Sequence, residues 1–454
     1  MATNTYLSGN FAPVTDETTV VDLEVVGSIP PELDGRYIRT GPNPFVTDGD
    51  NYHWFVGDGM VHGVALGAGR AHWYRNRWVR SPEASAFLGE PPVPTAAGGL
   101  FRGNGNTNVL AHGGRILAFE EMSCPYELDR DLGTVGQTEF GGSLPVGTFA
   151  HPKIDQITGD MHILGYAWTD SLLRYNVIDR SGAILRQSTI EMGGSVMVHD
   201  MGMTDRYVVV MDLPVVFDIE LAATGRRLPY RWDDSYNARI GLVPRVASSS
   251  GVEDIVWIEI DPCFVFHPVN AYDDAERVVF DVVRYPTMFK HDVEGPNDGP
   301  SRLERWILDP TDRTCDVTVL DETSQEFPRI DERRTARAHR YAWAPMATID
   351  VLGSADATRS NAILKHDLQR GTRTELALGA GRVAGEVVFV PAGDDAGEDE
   401  GWLMGYVADL AEGASELLVI DAGSMTEQAR IRIPRRIPAG FHGNWVADSA
   451  LLPI

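Results

Sequence analysis

Four of the twelve histidines stand apart by their setting. His151 lies in TFAHPKID, His199 in MVHDMG, His267 in FVFHPVNAYDD and His442 in GFHGNW. Each follows an apolar or small residue among Gly, Pro or Asp, the surroundings expected where a strand ends at one face of a sheet. They follow one another at intervals of 48, 68 and 175 residues. Neutral imidazole is a good ligand for Fe, Zn, Ni and Cu, so four rings brought to one point imply a transition metal. A ligating histidine usually passes its other ring N–H to a carboxylate, which fixes the tautomer and aims the ring. Glu121 in AFEEMSCPYEL, Glu326 in QEFPRI and Glu386 in GEVVFVP are candidates for that task. Each sits in or beside an apolar stretch, where an unpaired carboxylate is costly. The pattern alone leaves a buried ion pair equally open for each.

Competing chemistries lack their signatures. There is no HExxH, no H-x-D/E pair, no GxSxG elbow, and no GxGxxG or GxxxxGK[ST] phosphate cradle. The three cysteines, Cys124, Cys263 and Cys315, form no CxxC pair, which argues against a disulfide framework and a thiolate metal site. With 39 Lys and Arg against 65 Asp and Glu, the formal charge is −26, so binding to a phosphate backbone is disfavoured. The start, MATNTYLSGNF, has no basic segment followed by an apolar core, and no run nears the ~20 apolar residues of a membrane span. These features predict a soluble, cytoplasmic protein.

The elements that must position the histidines are short strands. RILAFEE (115–121), RYVVVMDL (206–213), DIVWIEI (254–260), RVVFDVV (277–283) and ELLVIDA (416–422) are rich in β-branched and aromatic residues and bounded by turn formers. Long helical periodicity is absent, so the chain reads as all-β. An apolar strand ending in Asp recurs at Asp129, Asp179, Asp309, Asp367 and Asp421, at intervals of 50, 130, 58 and 54 residues. Intervals near 50, with one gap long enough for two units and an insertion, suit propeller blades of about 40–50 residues better than a sandwich of hairpins. One histidine per blade at one depth would converge on the propeller axis. The Pro/Gly-rich segments 81–98 and 285–300 read as loops on one face, and no interior linker splits the chain. Residues 1–454 are therefore expected to form one domain, with 1–15 as an N-terminal arm.

With these residues in view, the chain resembles the carotenoid cleavage oxygenase family nearly end to end. The resemblance is carried by GRYIRTGPNPF (35–45), HWFVGDGMVHG (53–63), NTNVLAHGGRILAFEE (106–121), FAHPKID (149–155), VHDMGMTDRYVV (198–209), VFHPVNAYDD (265–274), QEFPRI (325–330), GEVVFVP (385–391) and IPAGFHGNW (437–445). It implies a seven-bladed β-propeller with a dome of loops and short helices over one face. It implies one Fe(II) per chain held by His151, His199, His267 and His442, with Glu121, Glu326 and Glu386 orienting three of the rings. Thr107 matches a threonine whose methyl crowds one open iron position and leaves the other for O₂. Adding O₂ across a C=C bond and splitting it gives two carbonyls, so no reductant and no organic cofactor is needed.

The substrate implied is an apolar polyene, a carotenoid or apocarotenoid. The stilbene-cleaving branch typically carries a Lys just before the residue matching Glu121, where it can bind a phenolate; here that position is Glu120, which repels one. A phenolic alkene on the same iron centre remains the alternative, as do a monooxygenase or isomerase and, outside enzymes, a propeller scaffold with structural histidines. Phe266, Phe327 and Trp168, together with Glu120, are candidate walls of a substrate tunnel; ordinary core packing stays open for the aromatics. Val215, Val216, Phe217 and Leu221 are expected to make a small membrane-touching patch at the tunnel mouth, at most a peripheral contact.

Overall fold

The computed structural model describes residues 4–45, 52–246, 254–292, 298–346 and 361–452. Their strands form seven antiparallel sheets arranged as the blades of a β-propeller. The blade built from Asn108–His112, Arg115–Phe119, Tyr126–Leu128 and Thr134–Gln137 shows the plain pattern, four strands in chain order from the axis outward. The ring closes by mixing the two ends of the chain. Gly443–Ala447 pairs with Gly35–Pro42, while Thr18–Val21 and Val25–Gly27 each complete the outside of a different neighbouring blade.

The recurring Asp has one structural job. In four of its five blades it closes the third strand counted from the axis and turns the chain into the fourth; Asp367 ends the middle strand of a three-stranded blade and turns the chain into the outer one. Asp129 Oδ1 accepts from the N–H of Asp131 and Gly133, both at 2.8 Å, and Asp309 Oδ1 accepts from Thr311 and Asp312 at 2.9 and 3.1 Å. A short acceptor that satisfies the backbone inside its own turn suits a tight strand reversal. The 130-residue gap holds one further blade and a hairpin, Val215–Phe217 with Tyr230–Trp232, inserted within that blade.

Helix is scarce. Pro82–Leu88 lies inside the segment expected as a loop: Ser81 Oγ accepts from the Ala84 N–H, Pro82 opens the first turn, and Gly89 ends it at φ +69°. Ile219–Ala223 sits at the tip of the inserted hairpin, capped by Asp218. Residues 4–11 fold back on the body as two short turns, and Phe11 packs edge-on against Trp54.

Blade faces pack apolar strand residues against one another, and the largest cluster joins Phe264, Phe266, Phe280, Tyr285 and Trp306 to the inserted hairpin through Val215 and Tyr230. No helix among the described residues is long and apolar enough to cross a membrane.

Candidate metal centre

The innermost strands, or the residues just before them, deliver the four histidines to the axis. His151 precedes Lys153–Ile154, His199 precedes Gly202–Met203, and His442 immediately precedes Gly443–Ala447; His267 lies in Phe264–Asp274. Their ligand nitrogens all lie within 4.8 Å of one another. The Nε2 atom of His199 stands 3.1 Å from Nε2 of both His151 and His267. His151, His267 and His442 are buried, and His199 is nearly so.

Three of the rings meet a glutamate on their far side. His199 Nδ1 lies 2.5 Å from Glu121 Oε1, His267 Nδ1 lies 2.7 Å from Glu326 Oε2, and His442 Nδ1 lies 2.9 Å from Glu386 Oε1. A carboxylate acceptor places the ring proton on Nδ1, so each Nε2 presents a bare lone pair to the axis. His151 has no glutamate; its Nδ1 is 3.8 Å from Asp200, whose carboxylate pairs with Lys153 at 2.8 Å.

Burial holds the imidazoles of His151, His267 and His442 below their ordinary pKa, with neighbouring histidines adding to the effect. Burial would raise the Glu386 carboxyl, but the Arg329 charge beside it, with hydrogen bonds from His442 and the Gly443 N–H, holds it at about 2.

Apposed lone pairs at 3.1 Å with no proton between them repel unless a cation sits among them. Two nitrogens each ~2.1 Å from one ion and at right angles about it would be ~3.0 Å apart. The donor set therefore fits a transition-metal ion, with neutral imidazole as the only ligand type.

Two of the glutamates are aimed by unusual backbone. The residues after Glu121 and Glu326, Met122 and Phe327, have φ of +59° and +51°, a region where bulky side chains are strained. Phe327 also precedes Pro328, which disfavours compact backbone further. The kink brings its N–H to 2.5 Å from Glu326 Oε2 and its ring 5.1 and 4.9 Å from the His267 and His442 rings. Tyr166 hydroxyl donates to Glu121, and Tyr285 hydroxyl to Glu326 at 3.2 Å.

A cavity of about 470 Å³ opens onto His199, His267 and His442. Trp168, Phe266 and Phe327 all line it, as expected, and so do Glu120 and Thr107. The Thr107 hydroxyl donates to Asn106 Oδ1 at 2.7 Å. Phe55, Phe101, Phe217, Tyr230 and Phe441 complete the aromatic wall; of these, sequence reasoning singled out Phe217 alone, and for a membrane patch. Phe441 adjoins His442, while Phe55 lies within the quoted segment HWFVGDGMVHG, none of whose residues stood out by type. A second, polar cavity of about 560 Å³ runs between the innermost strands and reaches His151, His267 and His442.

The expected membrane patch is overturned in part. Val215 is fully buried in the core, and Phe217 faces the cavity, stacked on Trp168 at 5.0 Å. The strand pairing of the inserted hairpin turns these side chains inward. The apolar side chains left exposed around the mouth are Ile219 and Phe101.

The propeller with an axial four-histidine cluster beneath an aromatic cavity defines an oxygenase fold and site. The family model described as retinal pigment epithelial membrane protein matches residues 11–447. A carotenoid cleavage oxygenase of Mycobacterium tuberculosis is 41% identical, the match covering 97% of each chain. Among solved structures, Pseudomonas brassicacearum lignostilbene dioxygenase superposes with a TM-score of 0.87 at 25% identity, over 97% of this chain and 98% of that one. Cobalt-substituted Synechocystis ACO superposes with a TM-score of 0.83 at 26% identity, over 96% and 97%. The chain belongs to the carotenoid cleavage oxygenase family and is an enzyme of that family.

Proposed function

We propose that this chain is a non-heme Fe(II) dioxygenase that cleaves a C=C bond of a carotenoid or apocarotenoid with O₂, giving two carbonyl products. The observation that carries the reading is the convergence of four imidazole nitrogens within 4.8 Å at the floor of an aromatic cavity. His151, His199, His267 and His442 would hold the iron, which when bound supplies the activation of O₂ that the alkene needs. Glu121, Glu326 and Glu386 keep three rings in the tautomer that offers Nε2. Phe266, Phe327 and Trp168 exclude water and lay the polyene along the cavity wall. The Thr107 methyl narrows the space beside the metal. Contact with a bilayer is peripheral, through Ile219 and Phe101.

A second reading, cleavage of a phenolic alkene, is favoured by the superposition on lignostilbene dioxygenase. Glu120 in the cavity wall weighs against binding such a substrate as a phenolate, because two like charges would face each other there. Incubation of the iron-loaded protein with a carotenoid, an apocarotenoid and a hydroxystilbene under ¹⁸O₂ separates the cases. The expected result is turnover of a polyene, with one labelled oxygen in each carbonyl product. Label in one product alone would make the enzyme a monooxygenase, and turnover of the stilbene alone would select the second reading.

A further inference from the structure

We infer that Glu120 is a substrate-recognition residue whose carboxyl, in the cavity wall, receives a neutral hydroxyl on the end of an otherwise apolar alkene and turns away an anionic one. The inference rests on the cavity being the alkene site. The charged side chains lining that cavity are Glu120, Glu121, Arg226 and Arg227. Glu121 is committed to His199 and Tyr166. The two arginines belong to the loop after the short helix Ile219–Ala223, where Arg227 is exposed.

Glu120 has no comparable task. Among the described residues no Lys, Arg or His forms an ion pair with it, and no side chain donates to it. Its carboxyl is held by backbone alone, accepting from the N–H groups of Asn104, at Oε2, and Gly105. Gly103, at φ +62°, lets this loop come close: a Cβ there would stand 2.8 Å from Glu120 Oε2 and 2.3 Å from Ser123 Oγ. The loop thus cradles one side of the carboxyl, and the surface the residue retains opens to the cavity.

An acid without a cation in an apolar wall is costly, and groups kept in that state concentrate at functional sites. Burial raises this carboxyl to about 7 despite the two N–H donors, with Glu121 and Asp58 pushing the same way. A hydroxyl suits both of its forms: it donates to the carboxylate, and its oxygen accepts from the acid. A phenolate or a carboxylate suits the acid alone and is repelled by the ionised form. A site that hydrogen-bonds a substrate hydroxyl penalises the analogue lacking it, because the buried group then goes unpaired.

The test compares kcat/KM for paired substrates, one pair of apocarotenals differing in a ring hydroxyl and one pair of stilbenes differing in the same way. Wild type, Glu120→Leu and Glu120→Gln are measured, with the iron content of each. Wild type is expected to prefer the hydroxylated member by about 10-fold or more. That preference should collapse toward parity in Glu120→Leu, chiefly through KM, at unchanged iron content. Equal use of both members by wild type overturns the inference whatever the variants do. So does a preference that survives in Glu120→Leu, or in Glu120→Met, measured in its place should the leucine variant not fold. Glu120→Gln, whose amide still pairs with a neutral hydroxyl, should keep the preference, and its loss there would equally overturn the inference. Turnover of the stilbene pair alone would overturn the polyene reading and still report on Glu120.

Discussion

His267→Ala is expected to remove both the metal and the activity. The ring is 3% exposed, its Nε2 lies 3.1 Å from that of His199, and its Nδ1 is 2.7 Å from Glu326. Losing a partner behind a ligand typically costs 10–100-fold in affinity or rate, so losing the ligand itself should cost more than about 100-fold. The variant also leaves the fully buried Glu326 carboxyl with only Tyr285 and the Phe327 N–H as donors. An unfolding midpoint lowered by the loss of about 1–3 kcal/mol should accompany the metal loss. Iron per chain and turnover, measured on the same preparation, check it; full activity with iron retained would remove His267 from the ligand set.

Glu386→Gln should have the next largest effect, and a wider one than Glu326→Gln. Glu386 accepts from His442 Nδ1 at 2.9 Å, from the Gly443 N–H at 2.8 Å and from Arg329 at 3.2 Å. An amide can turn an NH₂ toward the ring N–H, which frees the ring to rotate or to change tautomer. Metal affinity should fall about 10–100-fold for either glutamine variant. Only at Glu386 does the change also take a carboxylate from Arg329, which keeps Glu332 at 3.1 Å, Asn444 at 2.7 Å and the Gly443 carbonyl at 3.2 Å, so its stability should fall by about 1 kcal/mol more. The pH dependence separates them as well. The Glu386 carboxyl is depressed to about 2, so its stabilisation is intact above the ordinary carboxylate range and is lost as pH falls toward 2. Denaturant unfolding from pH 6 to 2 should show that acid limb in wild type and a flatter one in Glu386→Gln. Equal losses in the two glutamine variants would contradict the role given to Arg329.

The blades were legible because the same turn chemistry recurs. Asp129, Asp179, Asp309, Asp367 and Asp421 close equivalent turns, so their intervals report the repeat directly. The four histidines were legible because three precede a strand and His267 lies near the start of one, a local pattern that survives without knowledge of the fold. What escaped notice depends on contacts between distant segments. Nothing in the types Met122 and Phe327 signals a positive φ, yet that backbone sets the aim of the two glutamates before them. Arg329 and Asp200 lay inside quoted motifs, but their partners Glu386 and Lys153 belong to other parts of the chain. The VVF stretch looked like an exposed apolar patch because hydropathy carries no sense of facing. Its pairing with Tyr230–Trp232 decides that Val215 and Phe217 point inward.

The most direct test of the four-imidazole centre is X-ray absorption on protein reconstituted anaerobically with ferrous ion, with the metal counted per chain. One iron per chain, in a shell of four imidazole nitrogens with carboxylates absent from the ligand sphere, is the expected result. A chain that binds no stoichiometric metal, or one whose shell contains sulfur or a direct glutamate oxygen, would contradict the account.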